Sequence, residues 1–328
     1  MSSDALGSIL VVLETTSGEL SRGSIEAIVC AQQLQPGRLL CMLLAGEDGM
    51  VPAELSTLRL DELIVLRHRE LSTYSPDAWV AAICQTMDVV APSLVIIPYS
   101  YRGRDFSPRL SARLQRAMVS DCIAIERDGA GLNFIRQMFQ GRANMRVRMR
   151  GEMPYLVTLQ PGTYRIEGVH RGGGAPVKSI NISLSPEMLR SKIEAPFKSA
   201  VRTVDLSRAE IVVAVGRGIK GPEHIGMVQR LADLLGAELA ASRPVCDEGW
   251  LPLERQVGSS GQTVAPRLYI AIGISGAVQH AVGMKGAGTI VAINKDANAP
   301  IFKIADYGIV GDLFSIVPAL IQSLETGR

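Results

Sequence analysis

Three runs in the second half of the chain, "EIVVAVG", "RLYIAIG" and "TIVAIN", are apolar at successive positions rather than at every second one. A strand with one wet face alternates, so runs of this kind must be buried on both faces, with helices covering each side of their sheet. Amphipathic stretches such as "HIGMVQRLADLLG" and "DLFSIVPALIQSLE" lie between and after them and supply that cover. The pattern predicts a doubly wound α/β domain with a parallel sheet.

The first half repeats the alternation more loosely. "SILVVLE", "SIEAIVCAQQL", "RLLCMLLAG", "ELIVLRH", "YSPDAWVAAICQTMDVV" and "SLVIIPYS" read as strand, helix, strand, strand, helix, strand, again a parallel sheet with crossover helices. "GRDFSPRLSARLQRAMVSDC" adds a helix, with Asp105 or Ser107 as its cap and Pro108 in its first turn. "CIAIERD", "GLNFIRQMFQGRANMRVRMRG" and "PYLVTLQPG" are short strands parted by glycine turns, which predicts a small antiparallel extension of that sheet. A stretch rich in glycine and proline, residues 171–207, marks the seam. The expected layout is an α/β domain over 1–185 facing a partner, a linker over 186–207 and a second domain over 208–328.

A length of 328 residues suits two cores rather than one. Net charge is +2, from 34 basic and 32 acidic side chains, too small for a chain-wide footprint on nucleic acid or anionic lipid. Arg146, Arg148 and Arg150 alternate along one strand without interleaved aromatics, the pattern of a solvated face. Five scattered cysteines without close pairing argue against a disulfide framework or a zinc site, and no apolar run is long enough to cross a bilayer. With an apolar start of only six residues and no basic segment before it, the expectation is a cytoplasmic protein of bacterial type without signal or transit peptide.

Two glycine turns are candidates for a ligand. In "VAVGRGIKGPEH", Gly216, Gly218 and Gly221 have dinucleotide-turn spacing. No acidic residue closes a second strand about twenty positions later, so a tight strand-to-helix turn is the more economical meaning. In "YIAIGISGAVQHAVGMKG", Gly273, Ser275 and Gly276 end a strand and Ala277 opens a helix, a place where unpaired N–H groups favour an anion. The loop "RQVGSSGQTVAP" precedes the same strand, and together they predict a nucleotide crevice at the carboxyl ends of one sheet.

These residues, with "ASRPVCDEGWLP", "IVAINKDANAPIF" and "ADYGIVGDLF", closely resemble the C-terminal domain of the electron transfer flavoprotein alpha subunit from Val212 to Leu320. "LVIIPYSYRGRDFSPRLSARL" and "VTLQPGTY" resemble its N-terminal domain. The resemblance implies FAD as the cofactor, a beta subunit as partner in a heterodimer, and electron transfer from flavin dehydrogenases, as in fatty acid β-oxidation, to a quinone oxidoreductase. It makes the chain an electron carrier rather than an enzyme, with a bifurcating version as a variant. The turn "YSYRGRD" in the first domain would then be empty, because AMP sits in the beta subunit.

Carried onto this sequence, the resemblance places Ser242 and Arg243 at the isoalloxazine and His280 on its carbonyl oxygen O2. Gln256, Val257, Gly258, Ser259, Ser260 and Gly261 form the loop against the flavin. Gly273, Ile274, Ser275, Gly276, Ala277 and Gln279 line the ribityl and diphosphate path. Asn294, Lys295, Asp296, Asp306 and Tyr307 lie toward the adenosine end, and Arg217 completes the set. The family's loop reads Val-Gly-Gln-Thr-Gly, whereas Ser259 and Ser260 stand here for Gln-Thr, so a hydroxyl is kept and an amide lost.

From the residues alone, Arg243 is a surface side chain before a proline and His280 a cap or core histidine. A guanidinium about 4 Å from a reduced, anionic flavin contributes roughly 4 kcal/mol at an effective dielectric near 20, equivalent to about 170 mV for one electron. An NAD-dependent enzyme using "GRGIKG", or a sensor that binds an adenine nucleotide without reducing it, stays open at this point.

Overall fold

The structure is a computed structural model that describes residues 7–16, 18–129, 131–139, 141–191, 193–194 and 206–327. The chain divides into two compact units, Met1–Pro196 and Phe197–Arg328. Much of the expected linker, 186–207, lies outside the described residues.

In the first unit the elements run β1 (Ser8–Leu13), a small hairpin of β2 (Thr15–Thr16) and β3 (Glu19–Leu20), α1 (Arg22–Gln33), β4 (Arg38–Ala45), β5 (Glu62–Arg67), α2 (Pro76–Val90), β6 (Leu94–Pro98) and α3 (Tyr101–Leu114). Strands β7 (Met118–Asp128), β8 (Gly131–Met138), β9 (Ala143–Val147), β10 (Tyr155–Leu159) and β11 (Val177–Asn181) follow. One nine-stranded sheet takes them in the order β11-β5-β4-β1-β6-β10-β7-β8-β9. Pairing is parallel from β11 to β7 and antiparallel through β7, β8 and β9. Apolar clusters cover both faces, one centred on Val11, Cys41 and Val157, the other on Leu10, Met42, Trp79 and Phe106.

Three details depart from the sequence expectations. Strand β10, grouped above with the antiparallel extension, pairs parallel between β6 and β7. Strand β11 falls inside the expected seam; it is largely exposed, and main-chain pairing to β5 holds it rather than apolar burial, which is why "VKSIN" carries no hydrophobic signal. Helix α3 starts at Tyr101, before the expected caps, because the Ser100 hydroxyl accepts from the Gly103 N–H at 2.9 Å. Gly103 is needed there, since a Cβ would collide with the Pro98 carbonyl, and Pro108 sits in the helix interior.

In this sheet the switch in strand order falls between β1 and β6, where a nucleotide would sit in an open α/β fold. The chain fills that place itself. The buried Glu14 carboxylate, just past β1, accepts from the Ser100 hydroxyl at 2.7 Å, with the Gly103 main chain and Arg102 beside it. An internal anion thus takes the start of α3. Arg146 and Arg148 of the β9 region are ion-paired to Glu126 and Asp128 at 2.9 and 2.6 Å, a solvated, charge-neutralised face.

The second unit runs β12 (Ile211–Val215), α4 (Ile225–Leu235), β13 (Glu238–Ala241), α5 (Arg243–Asp247), β14 (Leu268–Ile272), α6 (Val278–Val282), β15 (Thr289–Asn294), β16 (Tyr307–Val310) and α7 (Leu313–Glu325). Its sheet is wholly parallel in the order β13-β12-β14-β15-β16, as its doubly apolar strands require. Apolar clusters pack on both faces, around Val213, Leu231 and Val317 and around Val212, Tyr269 and Ile301. The order reverses between β12 and β14, so the crevice of this sheet opens at their carboxyl ends.

Burial raises the pKa of Glu14 above the ordinary 4.5, against the opposing pull of Ser100, Arg102 and Gly103. A carboxyl whose folded value is raised contributes stability below its unfolded value and loses it as pH rises through the folded value. Glu14→Gln is therefore expected to gain stability relative to the unmodified chain as pH rises above about 4.5, measured by denaturant unfolding of both proteins across pH. A difference that is flat or shrinks with pH would contradict the burial argument.

Candidate functional site

At the carboxyl ends of β12 and β14 two glycine turns lie on one another. Gly216 N–H donates to the Ile272 carbonyl at 2.8 Å and Gly218 N–H to the Gly273 carbonyl at 3.1 Å. A Cβ on Gly216 would collide with the Gly273 carbonyl, and one on Gly218 would lie 2.8 Å from Gly273 Cα. Gly273 itself is left-handed, with φ +63°. The spacing of "GRGIKG" therefore serves backbone packing. Two 3₁₀ turns, Arg217–Ile219 and Pro222–His224, separate it from α4, so no α-helix opens directly on these glycines as a dinucleotide turn requires. Arg217 is exposed on the first of those turns.

The next turn differs in its hydrogen bonds. Ala277 is the cap rather than the first helical residue, and α6 has only five residues, so its dipole is small. The main-chain N–H groups of residues 275–279, however, donate to no partner among the described residues. Five successive free donors form a nest for an anion. Below them the turn is pinned: Gly276, at φ +82°, lies against the Ile301 main chain, the Ser275 carbonyl accepts from Ile301 N–H at 3.0 Å, and Asn294 Nδ2 donates to the Ile274 carbonyl at 2.9 Å. Ser275, Ala277 and Gln279 stay exposed above.

The loop 256–262 is bonded to the same turn. Ser259 N–H donates to the Gln279 carbonyl at 2.7 Å, Gly258 at φ +146° packs on that carbonyl, and Val264 N–H donates to the Gly283 carbonyl at 2.7 Å. Val257 N–H reaches the Ala241 carbonyl of β13 at 2.9 Å, and a Cβ on Gly261 would collide with the Gln256 carbonyl. Gln256, buried, donates from Nε2 to Ser260 Oγ at 2.9 Å. Ser260 thus accepts from inside and keeps its own hydrogen to donate outward.

Ser242 follows β13 as the residue capping α5, buried, its N–H on the Val215 carbonyl at 3.0 Å. Arg243 opens α5 exposed, with Nε 3.3 Å from Asp247 Oδ2. Toward β15 and β16, Asp306 Oδ2 accepts from Ile290 N–H at 2.8 Å and so ties the approach to β16 to the start of β15. Asp296 turns its own loop by accepting from Asn298 N–H at 2.9 Å, while Lys295 and Tyr307 are exposed.

His280 is 6% exposed, its Nε2 2.9 Å from the wholly buried Tyr269 hydroxyl. Nδ1 is buried without a well-formed hydrogen bond, although the Val257 main chain lies near it. Burial pushes the imidazole pKa down to about 4, opposed only weakly by Val257, so the ring is neutral at physiological pH. Tyr269 and Asp247 were not among the residues expected from sequence. Each has a faint sequence signal: a lone hydroxyl in an aliphatic strand, and an acid four positions after an arginine.

Comparison with known proteins bears on what this crevice holds. A family model described as "Electron transfer flavoprotein domain" matches residues 9–185, and one described as "Electron transfer flavoprotein FAD-binding domain" matches 205–285. The electron transfer flavoprotein subunit alpha of Bacillus subtilis (strain 168) is 37% identical over 318 residues, covering 97% of both chains. This chain belongs to the electron transfer flavoprotein alpha-subunit family. Protein FixB of Clostridium saccharobutylicum is 35% identical, covering 97% of this chain and 96% of its own. The acryloyl-CoA reductase electron transfer subunit beta of Anaerotignum propionicum is 34% identical, covering 98% and 96%.

The cofactor of such a chain is FAD, which supplies reversible uptake of electrons at its isoalloxazine ring. The crevice fits it on its own terms. A run of free N–H donors suits a diphosphate, and an outward hydroxyl suits a ring nitrogen or carbonyl. Among the described residues no helix is long and apolar enough to cross a membrane.

Because the folded pKa of His280 lies below the ordinary 6.5, its neutral form contributes stability above that pH, lost as pH falls toward about 4. The loss is on the order of 3 kcal/mol across that window. His280→Gln is expected to flatten the pH dependence of unfolding free energy between those limits; equal slopes in the two proteins would refute the assignment.

Proposed function

We propose that this chain is the alpha half of a heterodimer with a beta subunit and that it carries electrons on FAD from flavin-containing dehydrogenases of the acyl-CoA type to a membrane quinone oxidoreductase or similar acceptor. The observation that carries the reading is the convergence of five free main-chain donors, the Ser260 hydroxyl and the Arg243 guanidinium on the carboxyl ends of β12, β13 and β14. In it, residues 275–279 receive the diphosphate, the 256–261 loop and Ser242 flank the isoalloxazine, and the Asn294–Asp296 and Asp306–Tyr307 corners meet the adenosine end. Residues 1–185 face the partner, 186–207 serve as the linker, and the cytoplasm is the site of action.

The chain's own contribution is binding, orientation and charge. No step asks a side chain to make or break a covalent bond, so the protein acts as a carrier rather than a catalyst. Packing of "GRGIKG" on Gly273 speaks against the NAD-dependent alternative, because those glycines are spent on backbone contact. The deciding experiment is co-purification with the beta partner: one FAD per heterodimer, bleached on reduction, is expected of a simple carrier. Two would make it a bifurcating version, and a colourless complex would overturn the reading.

Arg243 sets the sign of the field at the ring. Its side chain is 67% exposed and shares its charge with Asp247, so the effective dielectric is nearer that of water than of an interior. Arg243→Ala is expected to lower the flavin midpoint potential by several tens of millivolts. Asp247→Asn, which frees the guanidinium, should raise it. Redox titration of the two heterodimers checks both signs; shifts in the same direction, or none, would remove Arg243 from the ring.

A further inference from the structure

Past β11 the chain does not leave the first unit at once, because residues 182–191 run back along α2 as a strap. Two side chains of that helix, about 12 Å apart along its axis, hold the strap. Gln85 imitates a main-chain pairing: its Nε2 donates to the Ser183 carbonyl at 2.8 Å and its Oε1 accepts from the Ser183 N–H at 3.3 Å. Asp77, in the first turn of the helix, takes the far end with one oxygen. Its Oδ2 accepts from the Arg190 N–H at 2.9 Å, the Ser191 N–H at 2.8 Å and the Ser191 hydroxyl at 2.5 Å. The other oxygen faces Arg109 Nη1 at 3.5 Å. Apolar contact is uneven along the strap. Ile182 is buried, and Leu184 and Leu189 pack against the cluster of Trp79 and Ile83. Toward the Asp77 end a cavity of about 400 Å³ opens between Ser75 and Ala78 of the helix and Pro186, Leu189 and Arg190 of the strap. Polar contact to one carboxylate therefore does the holding there.

We propose that the Asp77 carboxylate is a releasable clasp that keeps the first part of the linker docked on α2 and so sets where the connection to the second unit begins. Resting on the linker reading above, the inference moves the working start of that linker from residue 186 to a point after Ser191. Among the described residues no hydrogen bond other than those to Asp77 ties 186–194 to the rest of the first unit, so this single side chain decides whether 186–191 belong to the unit or to the tether. When the clasp opens, those residues add up to roughly 20 Å of extended chain. The donors on Asp77, the Ser191 hydroxyl first, lower its pKa, and the helix N-terminus favours the same negative charge, so the clasp is closed at neutral pH. Strand β11 is held separately, by its main-chain pairing with β5, and stays in place when the clasp opens.

The test uses the full chain in its heterodimer with the beta subunit and makes two measurements. Hydrogen exchange reads the clasp. In Asp77→Ala the Arg190 and Ser191 amides should exchange at least about tenfold faster, the size of a lost hydrogen bond to a charged group, while β11 and the body of α2 keep their rates. Asp77→Asn, which retains an acceptor oxygen without the charge, should fall between the two. Spin labels that do not use cysteine, placed at Val89 of α2 and Leu234 of α4, both exposed, read the tether. Their distance distribution should be wider in Asp77→Ala than in the labelled parent. Unchanged exchange at Arg190 and Ser191, or faster exchange spreading through α2 and β11, overturns the clasp and leaves the linker reading standing. Faster exchange at those two amides with an unchanged distance distribution overturns the role given to the clasp, and that outcome alone counts against 186–207 as the linker.

Discussion

The contact of Gly216 and Gly218 with the Gly273 turn is the constraint on which the second unit's chemistry depends. It joins the two strands at the switch point backbone to backbone, closer than any side chain would permit. Because β12 spends its glycines on that contact, its turn is closed, and the free main-chain donors are found instead on the turn after β14. Among the described residues the N–H groups of residues 275–279 have no partner there, while Gly276 packs against the Ile301 main chain.

A site made mainly of main chain tolerates side-chain drift. Ser259 and Ser260 stand where the resemblance expects Gln-Thr, and the loop is held by Ser259 N–H on the Gln279 carbonyl and by Gly258 at positive φ, neither of which depends on those side chains. What side chains add is polarity of defined sign: a guanidinium tempered by Asp247, a hydroxyl held by Gln256, an imidazole held by Tyr269. The first unit differs at its own switch point, where the chain's own Glu14 carboxylate accepts from the Ser100 hydroxyl at the start of α3.

Both sheets were legible in the sequence because strands buried on two faces have few alternatives, and the two glycine turns followed from where those strands end. Strand β11 was not, because an exposed edge is held by main-chain pairing that leaves no apolar trace. The start of α3 was missed because Ser100 and Gly103 compete with two other plausible caps, and only the close approach to Pro98 decides among them. The helix expected to open at Ala277 is only five residues long, so the free N–H groups of the turn and of its first residues, rather than a helix dipole, are what the site offers an anion. Tyr269 and Asp247 left only faint traces, a lone hydroxyl in an aliphatic strand and an acid four positions after an arginine, and neither belongs to a ligand-binding motif.

Hydrogen exchange of the heterodimer with and without FAD tests the central claim most directly. Flavin should slow exchange in the turn at 275–279 and the loop at 256–262, and leave Gly216–Gly221, already packed on Gly273, as it was. Protection appearing at Gly216–Gly221 instead, with the other two segments unchanged, would put the ligand on the wrong turn and contradict the account.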